Sequence, residues 1–339
     1  MSTQLLIART NIDADFLAER IPPHCNKGET SPLNWQSGPG ESLRFEFALP
    51  PQLLADAGRI IPCFSCTSEQ DYGYQFSLEF ETREGNSKET TSLSPIGDTG
   101  LEALVEDRAA RPVRSEIDVF VLRRPLGAAT LKLHVFSQDR EDLKKSPSLV
   151  CASVSNVAEH PVEECRAAGT EVDIPVPPRS QMLQDPEIGP RICSPTSISM
   201  VLDHYGHSAD PIEVARRAYH LQHDLYGVWP SSIYAASRWG ALGYLLAFPS
   251  WDAAQWLLDR HIPVIASIRY KEGELENAAF PATSGHLVVV RGYTTDAVVV
   301  NDPAADSAEE VYRHYAREEF TRIWLARSAV GYVIFPAGG

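Results

Sequence analysis

The chain has 339 residues, which is enough to bury a substantial core and to hold two domains. Its 43% hydrophobic and 22% charged residues are ordinary for a globular protein. Its formal net charge of -15 opposes binding to nucleic acid and to anionic membranes. No apolar run is long enough for a transmembrane helix, and residues 1–16 lack the pattern of a secretory signal. We therefore expect a cytoplasmic protein, with an exported mature chain as the alternative.

Six cysteines are scattered along the chain and do not have the spacing of a disulfide framework. Cys63 and Cys66 form a lone Cys-x-x-Cys pair. A structural zinc site would need His24 or Cys25 as further ligands, because no second pair stands at zinc spacing. The simpler interpretation is a set of buried or surface thiols in a sheet domain.

Two pairs of histidines are each three residues apart and could share a helix face, where they could bind a metal. The pairs are His204 with His207 and His220 with His223. No carboxylate or cysteine clearly completes either set, so we interpret all four as surface histidines. The sequence therefore predicts no metal site and no cofactor.

The first 150 or so residues are typical of β-strands. Apolar and polar residues alternate in runs that are separated by Gly, Pro and Ser clusters, which favours an antiparallel β-sandwich. A short helix is predicted near Gly100 to Glu106. The predicted strands are 42–49, 74–81, 116–122, 131–136 and 149–153.

A change of composition marks a domain boundary near 155–170. Residues 159–178 contain His160-Pro161, Gly169 and a proline-rich run at 175–178, which is typical of an extended linker. The sequence therefore predicts an accessory domain at 1–160 and a second domain at 161–339.

The second domain is predicted to begin with helices and to continue with antiparallel strands, which makes it an α+β domain. Asp210, Pro211 and Glu213 form a cap, a first-turn proline and a capping-box acid for a helix that ends at Ala218. Further helices are predicted at 231–239, 250–260 and 317–325, and strands at 264–268, 286–291, 297–302 and 331–335.

The residue with the greatest chemical interest is Cys193, which directly precedes an apolar helical pattern. Ile198, Val201 and Leu202 follow at helical spacing, and Gly206 is a suitable residue to end the helix. A thiol at a helix N-terminus experiences a field that favours the negative charge of a thiolate. Cys193 is therefore a candidate nucleophile.

The strands 286–291 and 297–302 allow a prediction of which residues are neighbours. If residues 293–295 form a three-residue hairpin loop, Gly292 pairs with Asp296 and the register continues from that pair.

In this register His286 lies opposite Asp302, and directly opposed side chains project from the same face of the sheet. Asp302 could then orient the imidazole of His286. A loop longer by one residue would place Asp302 on the other face and offer Asn301 instead.

Each of these residues also has a simpler interpretation. A cysteine before a helix is usually a small buried residue, a histidine at a strand start is usually structural, and Asp-Pro is a common turn signal. The order of a cysteine on a helix, a Gly-His on a strand and an Asp one hairpin away is a rarer combination. This order favours a thiol hydrolase.

Residues 170–335 resemble the C39-like branch of the papain-like cysteine peptidases, relatives of the peptidases that process bacteriocin leaders. The strand-rich first half is similar to a sandwich domain that precedes the peptidase domain in some bacterial members. The resemblance rests on residues 176–181, on Cys193–Ser197 with the helix that ends at Gly206, and on residues 227–230, 284–293 and 300–303.

The resemblance implies a papain-like fold with Cys193 as the nucleophile, His286 as base and acid, and Asp302 as the orienting carboxylate. It also implies that a glutamine amide helps to bind the oxyanion, with Gln181 as the candidate and Gln184 as its rival. No cofactor is implied.

The same resemblance suggests that Trp229 and Tyr226 line the substrate cleft, although a packing role for Trp229 is equally compatible with the sequence. The implied reaction is hydrolysis of a peptide bond in a peptide or protein through an acyl-enzyme. Alternatives are an amidase or acyltransferase acting on cell-wall peptide, and a binding protein on a degenerate peptidase scaffold. The first domain could then bind carbohydrate or protein.

Overall fold

A computed structural model describes residues 3–23, 25, 30–38, 42–82, 88–101, 111–156 and 171–338. In the first half, the helices are α1 (Ala14–Ala18) and α2 (Arg140–Lys145). The strands are β1 (Thr3–Thr10), β2 (Ser31–Pro32), β3 (Gln36–Ser37), β4 (Leu43–Ala48), β5 (Gly58–Cys66), β6 (Tyr72–Thr82), β7 (Lys88–Ser92), β8 (Ile96–Gly97), β9 (Val113–Ser115), β10 (Phe120–Leu122), β11 (Leu126–Ser137) and β12 (Ser148–Asn156).

These strands form two packed sheets with mainly antiparallel pairing. The first sheet has the order β2-β1-β12-β5-β10-β9, and the second has the order β3-β4-β11-β6-β7, with β8 paired to β6. One face of each sheet packs into a shared core, to which Phe64, Phe76 and Leu131 contribute. The predicted β-sandwich is therefore confirmed.

The second half contains helices that precede and flank one antiparallel sheet. The helices are α3 (Cys193–His204), α4 (Pro211–Ala218), α5 (Trp229–Ala236), α6 (Trp251–Leu258) and α7 (Arg317–Trp324). The strands are β13 (Val172–Asp173), β14 (Ala241–Ala247), β15 (Val264–Tyr270), β16 (Thr283–Tyr293), β17 (Ala297–Asn301), β18 (Tyr312–Ala316) and β19 (Val330–Pro336).

The sheet of the second half has the order β14-β19-β15-β16-β17-β18, and β13 also pairs with β16. The helix signals in the sequence act as predicted. Asp210 caps α4 by accepting hydrogen bonds from the backbone of Ile212 and Glu213, and Gly206 follows α3 with a φ of 84°. The α+β class is confirmed, and no helix in the described part of the chain is long and apolar enough to cross a membrane.

The two halves are joined by an extensive interface. The face of the β1–β12–β5 sheet that points away from the sandwich core carries Ile7, Ile61 and Leu149, which belong to the same buried cluster as the core of the second half. Sheet β1–β12–β5 is thus covered on both faces. Separating the halves would expose this apolar surface to water.

Strand β14 lies at the edge of its sheet, where backbone N–H groups would otherwise lack partners. Side chains from the first half accept hydrogen bonds from three alternate N–H groups of this strand. These bonds run from Gly243 to Ser65 Oγ (3.2 Å), from Leu245 to Cys63 Sγ (3.3 Å) and from Ala247 to Ser153 Oγ (3.0 Å).

The described cysteines of the first half are free and fully buried. Cys63 lies opposite Cys151 on the paired strands β5 and β12, and both face the second half. Cys66 faces the sandwich core instead, since it is an odd number of residues from Cys63. The described residues contain no group of three or more ligands that could hold a metal.

Some local predictions were wrong. Residues 116–122 do not form one strand, because Glu116 N–H bonds to Val119 O and a turn separates β9 from β10. The elements that were not predicted are helices α1 and α2 and strands β1, β2, β3, β5, β7, β8, β9, β13, β14 and β18. The short helix at Gly100 to Glu106 and the predicted boundary at 160 fall largely on residues outside those that the structure describes.

Candidate active site

Cys193 is the first residue of α3, and its side chain is half-buried. The preceding residue, Ile192, provides no side-chain cap, so the first N–H groups of the helix are not occupied by a capping oxygen. The backbone N–H groups of Ser194 and Leu287 lie beside the sulfur and help to lower the pKa of the thiol. These donors and the helix dipole favour a thiolate at this position.

His286 lies beside Cys193, and each side chain shifts the pKa of the other. The imidazole is only 1% exposed, and its Nε2 lies 2.7 Å from Asp302 Oδ1. The carboxylate thus occupies Nε2 and leaves Nδ1 free for another partner. The Phe280 ring packs edge-on against the imidazole, with centroids 4.8 Å apart, and restricts the access of water to it.

Asp302 is fully buried and accepts three hydrogen bonds. Oδ1 accepts from His286 and from the Ala304 backbone N–H at 3.0 Å, and Oδ2 accepts from the Tyr315 hydroxyl at 2.7 Å. A buried carboxylate with this many donors is fixed in position and stays ionised. Tyr315, on β18, was not identified from the sequence, because nothing in its local pattern distinguishes it from a core aromatic residue.

The register that led to Asp302 was wrong in detail. Gly292 lies opposite Val299 in the structure, where the predicted partner was Asp296. Thr294 and Ala297 close the hairpin, because the Thr294 N–H donates to Ala297 O at 2.9 Å. The loop is therefore not the predicted segment 293–295.

A β-bulge at Arg291 nevertheless places His286 and Asp302 on the same face of the sheet. The register shifts between Val290 and Gly292, so that Val289 faces Asn301 beyond the bulge. Without this extra residue, Asp302 would project from the opposite face of the sheet. Because of the bulge, His286 and Asp302 share a face and are diagonal neighbours.

The three side chains shift one another's pKa. Burial raises the pKa of the Cys193 thiol, but its hydrogen bond to His286 and the charge of His286 outweigh burial, and the pKa is lowered overall. Burial lowers the pKa of His286, but Asp302 and Cys193 raise it to about 10. Burial likewise opposes ionisation of Asp302, but His286 and Tyr315 hold its pKa below the usual value. The arrangement therefore favours an ionised Cys193 thiolate, a protonated His286 and an ionised Asp302.

Gln181 opens a 3₁₀ turn (Gln181–Leu183) and is 2% exposed. Its Nε2 donates to Gly189 O at 2.9 Å, four residues before Cys193, and its Oε1 has no hydrogen-bond partner among the described residues. Its backbone N–H donates to Pro303 O at 2.8 Å. The Gln181 turn is thus attached both to the segment before the nucleophile and to the loop that carries Asp302.

Gln184 has different surroundings. It is half-buried, and its Nε2 bonds back to Ser180 O at 3.2 Å within its own turn. The Gly189–Arg191 turn packs against Gln181 so closely that a Cβ on Gly189 would lie 2.8 Å from Gln181 O. The structure therefore brings Gln181, rather than Gln184, against the segment that leads to Cys193.

Tyr226 and Trp229 lie on the loop and helix that pass beside Ser194. A Cβ on Gly227 would be 4.0 Å from Ser194 Cβ, which places this loop next to the nucleophile's neighbour. Tyr226 is half-buried and has the Arg191 guanidinium 5.2 Å from its ring centroid. Trp229 is half-buried and packs against the main core, so that only part of it is available to a ligand.

Asp118, in the turn between β9 and β10, is a residue that the sequence did not identify. Its Oδ2 accepts from the Trp229 backbone N–H at 3.2 Å at the start of α5. Burial raises the pKa of this carboxyl to about 6. The first half therefore contributes a side chain that fixes the position of the Trp229 segment, a role that only the tertiary structure reveals.

Comparisons with known proteins gave one family match and one similar solved structure. Residues 173–332 match the family described as "Peptidase_C39 like family". A crystal structure from Bacillus anthracis, described as a C39-like peptidase, is 17% identical, with a TM-score of 0.37, and the match covers 49% of this chain and 98% of that one. No curated protein matches significantly. Residues 173–332, in the C-terminal half, therefore belong to the C39-like peptidase family.

Proposed function

We propose that the chain is a cysteine peptidase that hydrolyses a peptide bond through Cys193, His286 and Asp302. The observation that carries this proposal is the position of His286, which lies beside the sulfur of Cys193 and bonds to Asp302 through Nε2. This is the arrangement that a nucleophile, its base and an orienting carboxylate require.

In the proposed mechanism, the Cys193 thiolate attacks the carbonyl carbon of the substrate and the carbonyl π electrons move to oxygen. The oxyanion accepts hydrogen bonds from the Cys193 backbone N–H and from Gln181 Nε2. His286, as imidazolium, protonates the nitrogen of the leaving amine as the C–N bond breaks. The product of this step is a thioester on Cys193 and a free amine.

In the second step, neutral His286 removes a proton from water, and the hydroxide attacks the thioester carbon. The C–S bond breaks and releases a carboxylic acid and the thiolate, which is again paired with the imidazolium. Asp302 stays ionised throughout, because His286 and the Tyr315 hydroxyl stabilise its charge.

Two features near Cys193 support a polypeptide as the substrate. Met182 and Leu183, which follow Gln181, are 42% and 62% exposed and present apolar surface beside the proposed oxyanion donor. Tyr226 and Trp229, on the other side of Ser194, are proposed to contact the substrate chain. The scaffold of the C39-like family agrees with this substrate class.

The sandwich is proposed as an integral part of the enzyme, with a boundary between the two domains at residues 160 and 161. It provides acceptors for β14 and a cap for α5, and its outer face on β4, β6 and β11 carries ion pairs such as Lys132 with Glu79 at 2.9 Å.

A direct test is digestion of a complex peptide library, followed by mass spectrometry of the new termini. We expect peptide cleavage by the intact chain and none by Cys193→Ala. Equal cleavage by both proteins, or no cleavage of any peptide by the intact chain, would refute the proposal.

A further inference from the structure

Helix α5 begins at Trp229, beside the candidate site, and packs against the sandwich. Val228 and Tyr234 are 2% and 5% exposed, and both belong to the core of the sandwich although they come from the second half of the chain. The Tyr74 hydroxyl, on β6, donates to Pro230 O at 3.2 Å. The position of Trp229 is therefore set by the first half as well as by the second.

The first turn of α5 has no cap from its own segment. The residue before it, Val228, has an apolar side chain and provides no capping hydrogen bond. Asp118, which lies 111 residues earlier in the sandwich, accepts from the Trp229 N–H at 3.2 Å instead. Aspartate is among the preferred caps, because its carboxylate satisfies an N–H group and interacts favourably with the helix dipole. The sandwich thus supplies the cap of α5.

The turn that carries Asp118 is itself fixed. The Glu116 N–H donates to Val119 O at 2.9 Å and closes the turn, and Ile117 O accepts from the Ser94 N–H at 3.3 Å. Val119 is 3% exposed and packs in the core of the second half. A side chain on a turn held in this way can restrain the group that it binds.

The same part of the sandwich holds the segment that leads to Tyr226. His223 Nε2 lies 2.7 Å from Ser94 Oγ, and the His223 ring packs against that of His220 with centroids 4.7 Å apart. His220 is 5% exposed and the Pro95 carbonyl lies beside its ring, so the interpretation of His220 as a surface histidine was wrong. Residues of the first half therefore fix the segment before α5 as well as the helix.

Helix α5 is also bonded to the residue that follows the nucleophile. Ser232 Oγ lies 2.8 Å from Ser194 Oγ, and Ser194 Oγ lies 3.4 Å from the Tyr332 hydroxyl. Ser194 and Ser232 are fully buried, so these bonds are shielded from water. They hold α5 one turn beyond Trp229. Loss of the bond to Asp118 would therefore release the start of the helix and leave its attachment near Cys193 in place.

We propose that Asp118 is a positioning residue of the peptidase, which holds Trp229 and Tyr226 in place for the substrate chain. This inference rests on the proposed function, because it takes these two residues as the wall that contacts the substrate. Asp118 acts through the Trp229 N–H and does not touch the reacting atoms. Since that bond needs only an acceptor oxygen, an amide oxygen should be able to replace the carboxylate.

The experiment is steady-state kinetics of the full chain on a peptide that it cleaves. Asp118→Ala should raise KM by about tenfold, the effect expected from the loss of one capping hydrogen bond. Its kcat should stay within about threefold, since His286 and Asp302 keep their contacts. Asp118→Asn, whose amide oxygen can accept the same bond, should have a KM within about threefold of that of the unchanged chain.

Glu116→Gln is the matched control, because it removes an exposed carboxylate of the same turn that pairs with Arg114. It should leave KM unchanged. Asp118→Glu is a second variant, in case Asp118→Ala fails to fold by circular dichroism. It keeps the charge but moves the carboxylate by one methylene group, so it should also raise KM.

Hydrogen exchange of residues 226–236, measured by mass spectrometry, tests the position of α5 independently of activity. Asp118→Ala should exchange faster at the start of α5, whereas Asp118→Asn should not. Unchanged exchange in Asp118→Ala, or an Asp118→Asn variant impaired as strongly as Asp118→Ala, would overturn the proposal. Cleavage by the intact chain with an unchanged KM in Asp118→Ala would refute this inference alone. No cleavage by the intact chain would refute the proposed function and this inference with it.

Discussion

His286 and Asp302 are diagonal neighbours across a β-bulge, with Nε2 and Oδ1 2.7 Å apart. The bulge at Arg291 is stabilised by its own side chain, which bonds to Asp173 Oδ1 at 2.8 Å and to Asn301 Oδ1 at 3.2 Å. The residue that shifts the register therefore also anchors the strand next to it. In this way the geometry of the proposed catalytic pair depends on one inserted residue.

The first prediction concerns Asp302 and its neighbour Asn301. Asp302→Ala should reduce kcat by about 10²-fold or more, because His286 loses the carboxylate that orients it and raises its pKa. Asn301→Ala should reduce kcat much less, since the Asn301 side chain bonds to Val176 O and to Arg291, away from the imidazole. Steady-state kinetics on a cleaved library peptide would measure both. The reverse order of effects would contradict the assigned register.

The second prediction concerns pH. The thiolate of Cys193 and the imidazolium of His286 coexist at pH values between the lowered pKa of Cys193 and the pKa of about 10 for His286. The rate of Cys193 alkylation should fall only when the pH drops through the lowered thiol pKa. It should therefore be already high well below the ordinary thiol pKa of about 8.5.

Peptide hydrolysis should show a bell-shaped pH profile with its alkaline limb near the pKa of His286, because the leaving amine needs the imidazolium proton. Alkylation resolved by peptide mass mapping would provide the first measurement. A Cys193 that titrates like a free thiol would exclude the activated-thiolate mechanism.

The third prediction separates the two glutamines. Gln181→Ala should reduce kcat by about 10²–10³-fold through loss of an oxyanion donor, with little change in KM. Gln184→Ala is the matched control, since the same side chain is removed from a half-buried position that bonds only within its own turn. A larger effect at Gln184 would reassign the donor.

The fourth prediction tests how Gln181 is positioned. Gly189→Ala would place a methyl group 2.8 Å from Gln181 O, and backbone atoms would have to move to relieve this contact. We expect kcat to decrease while the alkylation profile of Cys193 keeps its midpoint, because the thiolate depends on His286 and not on Gln181. Gly285→Ala is a suitable control, as nothing lies within 4 Å of the added methyl group.

The fifth prediction concerns the two halves. After specific cleavage at a protease site inserted between residues 160 and 161, the fragments should stay associated on gel filtration. They share one buried cluster, and three N–H groups of β14 bond to side chains of the sandwich. Elution as two separately folded fragments would show that the sandwich is a detachable module.

The elements predicted well are those with strong local signals. The capped helix at Pro211 and the helix after Cys193 have local start and stop residues, and the alternating strands of the sandwich have a period of two. Strand β14 was missed because both its faces are buried, so its sequence lacks alternation. The turn at Asp118 was missed because the pattern around it continues to alternate.

The candidate site was predictable in residue identity but not in geometry. Cys193, His286 and Asp302 have recognisable neighbours in the sequence, whereas the bulge at Arg291 depends on tertiary bonds to β13. Both the incorrect loop and the unforeseen bulge alter the pairing of β16 with β17. Beyond the bulge, the observed pairing differs from the predicted pairing by an even number of residues. Asp302 therefore keeps the predicted face although its predicted partner was wrong.

Because the thiols of Cys63, Cys66 and Cys151 are buried, their alkylation reports local unfolding of the molecule. In the native state a small alkylating reagent reaches Cys193, whereas the buried thiols react only when β5 and β12 open. In a Cys165→Ser background, the first alkyl group added would count competent sites. Later modification of Cys63 or Cys151 would then record, at single-residue resolution in a mass spectrum, how often the interface between the two halves opens to solvent, whereas modification of Cys66 would record opening of the sandwich core.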